Sequence, residues 1–291
     1  MKTIELGHPQ TRLTYKHAML IKKVILTAAV GLLSLVFMIP FFWMISASLK
    51  LPSEVFAFPI KWIPDKFVYE NYLHVWMHKI YPFYKFYFNS IKVVSLTILG
   101  SIFICSSAAY AFSMIKFKGK GFIFMLYMAT LMVPHQVTLV PRFALFYWLN
   151  IYNSHLALIL PGMFYVIGIF LLRQFYLSIP NELCESARLD GAGHLRTWLQ
   201  IILPLTKTAM ISLTILLFVI CWNDYMNPLI FINNKDLYTI PLGMQLFLEE
   251  DLQQYNLIMA AATSSILPVI ILFIALQKYF IQGIVTSGLK G

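Results

Sequence analysis

The amino-acid sequence predicts an all-α, polytopic membrane protein with about six transmembrane helices, and three observations support this fold class. Of the 291 residues, 59% are hydrophobic and only 12% are charged, about half the charged fraction of an ordinary soluble domain. Six apolar segments are each long enough to cross about 30 Å of hydrocarbon as a helix. The basic residues lie between these segments and not on one polar face, so the net charge of +10 indicates a membrane protein and no nucleic-acid partner.

The six predicted spans cover residues 23–47, 90–114, 121–141, 155–177, 206–227 and 256–280. The first apolar run is longer than that of a cleaved signal peptide, so we expect it to remain as a membrane helix. The stretch 142–157, between the third and fourth spans, is itself apolar, and its aromatic residues suit an interfacial helix. Pro40, Pro134, Pro161 and Pro268 lie within or near the spans and predict kinks.

The distribution of lysine and arginine predicts the orientation. With the N-terminus in the cytoplasm, 14 of the 22 basic residues fall on the cytoplasmic side and 7 on the outer side. This bias predicts that both termini are cytoplasmic. The chain then divides into an N-terminal tail (1–22), a transmembrane domain (23–280) and a C-terminal tail (281–291), with a long cytoplasmic loop at 178–205.

Two sizeable loops, 48–89 and 228–255, lie on the predicted outer side. The second carries Asp236 and the acidic run Glu249-Glu250-Asp251. These carboxylates are compatible with a solvated acidic surface or with a docking site for an extracytoplasmic partner, and the pattern leaves both open.

The cytoplasmic loop at 178–205 is longer than a simple connection needs. Asn181 is positioned to cap a helix, with Glu182 in its first turn. Glu185 and Arg188 have the spacing of a pair on one helical face. The stretch 190–193, of sequence DGAG, then predicts a tight turn.

A second, amphipathic helix is predicted after that turn, ending before Pro204. Its apolar residues have the spacing of one helical face and are Leu195, Trp198, Leu199, Ile202 and Leu203. The helix–turn–helix arrangement indicates either a docking element for a cytoplasmic partner or an interfacial helix that merely borders the bundle.

The residues of this loop resemble the EAA loop of permease subunits of binding-protein-dependent ABC importers. The matching residues are Glu185, Ala187, Asp190, Gly191, Ala192, Ile201, Leu203, Pro204 and Leu205, while Ser186 stands where the family usually has alanine. "WNDYMNPLIF" at 222–231 and "IQGIVTSGLKG" at 281–291 are similar to segments of the carbohydrate (maltose-type) group. Within it, the chain is similar to the second permease of the maltose-type oligosaccharide importers.

This resemblance implies a type I importer permease fold and a set of partners. The partners are a second permease subunit in a heterodimer, a dimer of ATPase subunits that binds ATP and Mg, and an extracytoplasmic substrate-binding protein. The ATPase-coupling residues would be Glu185, Ser186, Ala187, Asp190, Gly191, Ala192, Gly193 and Pro204. Glu185 would contact the ATPase and Gly191 would form the turn. No GxxxxGK[ST] loop occurs, in agreement with a subunit that binds no nucleotide and is not an enzyme.

Substrate contacts are harder to predict. Trp222, Asn223 and Asn227 combine an aromatic face with amides, as a carbohydrate pathway requires. The pattern fits better with a structural role, in which Trp222 is an interfacial anchor and Asn223 caps a helix end near Pro228. A permease for a non-sugar solute is the near alternative. An autonomous transporter or a membrane-embedded enzyme is disfavoured, because no mid-span carboxylate and no catalytic or metal-ligand spacing is present.

Overall fold

The computed structural model describes residues 9–250 and 254–288, with side chains for 19–248 and 254–278. Within these ranges the chain is almost entirely helical and has no β-strand, which confirms the all-α class. The helices are α1 (Pro9–Ser48), α2 (Glu70–Trp76), α3 (Phe83–Met114), α4 (Lys120–Ala129), α5 (Leu139–Trp148), α6 (Leu156–Met163), α7 (Val166–Leu177), α8 (Asn181–Leu189), α9 (His194–Thr197), α10 (Leu203–Leu205), α11 (Lys207–Trp222), α12 (Met226–Phe231), α13 (Ile240–Glu250) and α14 (Tyr255–Gly288). A π-helical segment (Trp198–Ile202) joins α9 to α10.

Four segments are long and apolar enough to cross a membrane as they stand: Met19–Ser48, Phe83–Met114, Leu156–Leu177 and Tyr255–Lys278. Two bent pairs, Lys120–Met132 with His135–Trp148 and His194–Leu205 with Lys207–Trp222, raise the number to six when each pair is counted as one span. The predicted first, second and sixth spans therefore each correspond to one continuous helix. The fourth runs through α6 and α7 with a break at Phe164 and Tyr165, and the third and fifth differ more strongly from the prediction.

The third predicted span, 121–141, is not one helix. The chain turns by 94° between Met132 and His135, because Pro134 has no backbone N–H and forces Val133 into an extended conformation (φ −81°, ψ 116°). The predicted kink at Pro134 is thus a full break. The apolar stretch 142–157 begins within the separate helix α5, whose Trp148 is 77% exposed.

The fifth predicted span, 206–227, ends early. Its helix α11 stops at Trp222, so its 16 residues extend about 24 Å. The side chain of Asn223 turns back to donate to the Val219 carbonyl (2.8 Å), and Asp224 accepts the backbone N–H of Asn227 (3.2 Å). These local hydrogen bonds end one helix and start α12.

The core is built around α3, which packs against α6, α7, α11 and α13, while α14 packs against α1, α2 and α11. Helices α3 and α6 approach closely because Gly162 has no side chain: a Cβ there would lie 2.6 Å from Thr97 Cγ2. The first span, by contrast, is exposed to its surroundings over its whole apolar window.

The bundle has two distinct ends. At one end, α8 to α10 form an elbow beside the end of α3, where the Tyr110 hydroxyl lies 3.4 Å from His194 Nδ1. At the other end, the segment after α12 is fastened to the start of α3 by the ion pair Lys85–Asp236 (2.6 Å) and by Asn89, which donates to the Asp236 carbonyl (2.8 Å). The elbow and the segment around Asp236 are therefore at opposite ends of the bundle, as the predicted topology requires.

Some predicted features lie outside the described residues. They are the first eight residues of the N-terminal tail, the last three of the C-terminal tail, and Asp251; the side chains of Glu249 and Glu250 are likewise outside the described part.

Candidate functional site

The first limb of the elbow is α8, and its end is closed by a Schellman motif. The N–H of Gly191 donates to the Arg188 carbonyl (3.0 Å), and the N–H of Ala192 donates to the Ala187 carbonyl (2.9 Å). Gly191 has φ +82°, the left-handed conformation that this motif needs and that glycine adopts without strain. The predicted glycine turn is confirmed, with Gly191 at its centre.

Two local predictions about α8 are wrong. Asn181 is the first helical residue and not the cap, which is Pro180 with its fixed φ of −57°. Glu182 does lie in the first turn. In the part of the chain that the structure describes, Glu185 and Arg188 form no ion pair, and Glu185 stays exposed.

The second limb is not the continuous α-helix that the spacing predicts. Trp198 and Ile202 are buried at 4% and 0% exposure, but Leu195 is 67% exposed and Leu199 also faces outward. Leu195 lies in α9, before the π-helical segment, and Leu199 lies inside it. Trp198 and Ile202, the first and last residues of that segment, share the buried face.

The elbow is packed firmly onto the bundle. Cys184 and Ala187 of α8 are buried, and the Trp198 ring meets Phe103 of α3 edge-on at 5.5 Å. Burial raises the pKa of the Cys184 thiol, an effect that Arg188 opposes and Glu185 reinforces. The turn between the limbs therefore projects from a rigid support.

A groove runs between the two limbs of the elbow. Its lining residues are Leu183, Ser186, Ala187, Asp190, Ala192, Arg196, Gln200 and Ile201. Four of the eight predicted coupling residues thus line one groove. Glu185 is exposed beside it, Gly193 begins the second limb and Pro204 lies exposed in α10. Leu189, at 89% exposure, ends α8 just before the turn.

A polar cluster lies where the two broken spans meet. Arg142 of α5 donates through Nη2 to Asn227 Oδ1 (2.9 Å), and Asn227 Nδ2 donates to Asp224 Oδ2 (2.7 Å). The Arg142 guanidinium also lies over the Phe231 ring, 5.2 Å from its centre, and its Nε is buried without a partner. Asn227 therefore bridges a cation and a carboxylate that are distant in sequence.

Of the three predicted pathway residues, the structure brings only Asn227 into this cluster. Trp222 is 4% exposed, donates its indole N–H to the Ser265 carbonyl (3.1 Å) and stacks on Phe218 (5.3 Å, 12°). In this conformation it packs the bundle and has no free polar group for a solute. Asn223 is exposed at the end of α11.

The sequence analysis did not connect Arg142 with Asp224. A usable signal was present: both ionisable residues lie close to prolines in apolar surroundings, and charges in such positions face the bundle interior or a polar cavity. Only the three-dimensional structure shows that they share Asn227.

Comparison with known proteins gives the family. Residues 100–286 match the model of the binding-protein-dependent transport system inner membrane component. The chain belongs to this family. The permease is 36% identical over 258 residues to the probable ABC transporter permease protein YurM of Bacillus subtilis (strain 168), covering 87% of this chain and 83% of YurM. It is 33% identical over 272 residues to the arabinooligosaccharides transport system permease protein AraQ of the same organism, covering 92% and 96%.

A solved structure supports the fold of the permease. The crystal structure of a bacterial ABC transporter involved in the import of the acidic polysaccharide alginate contains a chain that matches with a TM-score of 0.79 at 22% identity, covering 95% of this permease and all of that chain. The expected ABC importer permease fold is thereby confirmed, and the elbow described above occupies the predicted EAA-like loop of such a subunit.

Proposed function

We propose that this permease is one half of the translocation pathway of an ATP-driven importer for a neutral carbohydrate, with both termini and the elbow in the cytoplasm. The elbow docks on an ATPase subunit, whose dimer binds ATP and Mg, while this chain binds neither. A different permease chain completes the pathway, and an extracytoplasmic binding protein delivers the solute. The observation that carries the proposal is the elbow, which is packed on the bundle and presents a groove between its limbs and two exposed leucines beside its turn.

The surface chemistry of the elbow favours a protein partner over a merely interfacial role. Leu189 and Leu195 are 89% and 67% exposed, and they flank a turn whose neighbours Glu185 and Asp190 are charged. Carboxylates at the same tip disfavour burial of the leucines in lipid, whereas a protein cleft can cover leucines and pair carboxylates together. Because the elbow is packed on α3, a movement of the ATPase would be transmitted to the bundle. An inward-facing and an outward-facing bundle can be switched only by a partner that contacts the two conformations differently, and the ATPase would be that partner.

The opposite end of the bundle supports docking of a binding protein. The outer segment is ordered by Lys85–Asp236, by Asn89, and by His155, whose Nε2 lies 3.0 Å from the Leu237 carbonyl. Asp236 itself remains largely exposed at 67%. An ordered outer segment with an accessible charge suits the recognition of a soluble partner. Exposed charges of this kind contribute more to specificity and association rate than to affinity.

The polar cluster supports a neutral solute. In it, the charge of Arg142 is balanced by Asp224 through the bridging Asn227, so the group offers hydrogen-bond donors and acceptors without net charge. Such a group suits hydroxyl groups better than carboxylates or phosphates, which would favour an unbalanced cation. The relative AraQ is named for arabinooligosaccharides, while the alginate importer handles an acidic polysaccharide; the balanced cluster favours the first kind of solute.

The test is purification of the tagged permease from its own membranes, with identification of the co-purifying subunits. We expect an ATPase and a second permease. The double variant Leu189→Asp/Leu195→Asp should lose the ATPase and keep the second permease. Leu73→Asp provides a matched control, because Leu73 is 65% exposed on α2 at the other end of the bundle.

The solute is tested by uptake of labelled arabinooligosaccharides and alginate oligosaccharides into cells that contain or lack the chain. Chain-dependent uptake of alginate oligosaccharides without uptake of arabinooligosaccharides would refute the neutral-carbohydrate proposal. Retention of the ATPase by the double leucine variant at the level of Leu73→Asp would refute the docking role of the elbow.

A further inference from the structure

A group of four basic side chains lies at the elbow end of the bundle, around the connection between α3 and α4. Lys120 donates to the carbonyls of Ser113 (2.8 Å) and Ile115 (3.1 Å), and Arg173 of α7 donates through Nε to the Phe112 carbonyl (3.1 Å). These bonds satisfy carbonyls at the end of α3, where a cation is favourable. They also hold two cations close together at one point of the surface.

The other two cations of this group are Lys116 and Lys118. Both are exposed, and they make no hydrogen bond or ion pair with any described residue. Gly119, with φ +78°, turns the chain directly into α4. We call these four residues, Lys116, Lys118, Lys120 and Arg173, the basic patch.

The basic patch is not neutralised within the described chain. The ion pairs there are Lys61–Asp65 and Lys85–Asp236, and both lie at the opposite end of the bundle. Among the described residues, these four cations meet the partial negative charge of one helix end, roughly half an elementary charge, and the Phe124 ring, whose centre lies 4.2 Å from the Arg173 guanidinium. The patch is therefore available to an anion from outside the chain.

The position of the basic patch indicates which kind of anion it binds. Only five residues separate the end of α3 at Met114 from the start of α4 at Lys120, so the basic patch lies at the level where two membrane-crossing segments leave the hydrocarbon. Large apolar side chains next to it point outward: Phe117, Phe122, Met125 and Leu126 are 40%, 61%, 59% and 52% exposed. A ligand that fits has a negative head beside an apolar body.

We propose that the basic patch and the exposed face of α4 form a binding site for an anionic phospholipid. The phosphate group contacts Lys116 and Lys118, with Lys120 and Arg173 behind them, and an acyl chain lies along Phe122 and Leu126. Basic clusters directly adjacent to membrane helices attract anionic lipids in this way. A protein partner could cover the charges of the basic patch. It would not explain why the patch adjoins the exposed apolar face of α4, whereas a lipid with a charged head and an acyl chain does.

The experiment is native mass spectrometry of the full chain, purified with its accompanying subunits in mild detergent and titrated with phosphatidylglycerol or phosphatidylcholine. We expect tighter binding of phosphatidylglycerol. The double variant Lys116→Gln/Lys118→Gln should weaken it about 30-fold, as two surface-proximal cations contribute. Both lysines are exposed, so folding is unaffected.

The matched control is Lys66→Gln/Lys79→Gln, which removes the same charge from exposed positions in the loops at the other end and should change phosphatidylglycerol binding less than twofold. Equal binding of the two lipids, or equal effects of the two double variants, would overturn the proposal. So would displacement of the lipid by millimolar inorganic phosphate, which indicates a plain anion site. Loss of the ATPase at unchanged lipid binding would show instead that the basic patch serves a protein contact.

Discussion

Replacement of Gly191 by alanine is the sharpest test of the elbow's geometry. Gly191 has φ +82°, and a Cβ built on it would meet nothing within 4 Å. The substitution therefore introduces no clash, and its whole effect comes from the backbone conformation. Gly193, two residues later, also has open space around it, but its φ of −68° and ψ of 168° are ordinary for any residue.

The expected magnitude follows from this difference. An alanine held in the left-handed region costs about 1–2 kcal/mol relative to a right-handed or extended conformation. That cost falls on the closed turn, in which Gly191 and Ala192 donate to α8, and it lowers the equilibrium constant for closing the turn by about 5- to 30-fold. At Gly193, the entropy lost from the unfolded chain stabilises the alanine variant by about 0.4–1 kcal/mol, which offsets its poorer capping of α9.

Amide hydrogen exchange measures the opening of the turn directly. We expect peptides covering 187–197 to exchange about 5- to 30-fold faster in Gly191→Ala than in the parent, and at nearly the parental rate in Gly193→Ala. Solute uptake should fall in the first variant only, because a turn that opens cannot present the groove to the ATPase. Gly191→Asn should lie between the two, since asparagine tolerates the left-handed region better than alanine.

Equal exchange rates in the two alanine variants would refute the reasoning, since the two sites differ in φ and not in space. Faster exchange without reduced uptake would leave the turn as described and contradict its role in coupling.

Three further predictions concern other parts of the molecule. Asn227→Ala removes the bridge between the guanidinium and the carboxylate of the polar cluster, and solute uptake should fall at least tenfold. Immunoblotting of membranes would verify that the variant is inserted normally. Unchanged uptake would argue against a role of the cluster in the pathway. Cys184, buried and with a raised pKa, should react with maleimide at least tenfold more slowly than Leu189→Cys, each being the only cysteine in its chain; equal rates would mean that α8 is not packed on the bundle. Gly243→Ala would drive a Cβ into the Phe86 ring and should cost about 1–3 kcal/mol, measurable as a lower thermal unfolding midpoint; a parental midpoint would contradict this packing.

The sequence alone determined the features that depend on neighbouring residues. Long apolar runs predict membrane helices because the bilayer requires them, and the all-α class and the family resemblance follow from such runs and from the EAA-like loop. The turn at Gly191 was also predictable, because the left-handed conformation depends mainly on the residue that adopts it.

Local signals failed where the helix path depends on side-chain hydrogen bonds. The break after Trp222 arises from the side chains of Asn223 and Asp224, which compete with the helix, in a segment that otherwise continues the apolar run. The second limb of the elbow shows the same limit. Its spacing predicts one regular helix with a single buried face, but a π-helical segment interrupts the helix, and Leu195 and Leu199 are exposed.

Only the tertiary structure decided which distant residues meet. Arg142 and Asn227 are 85 positions apart, and nothing in either segment specifies the other as its partner. Their contact depends on the 94° break at Pro134 and on the end of α11, and the angles of both breaks are set by packing against the rest of the bundle. The elbow could be predicted because a turn is local, whereas the polar cluster could not, because it forms only when two broken spans are packed side by side.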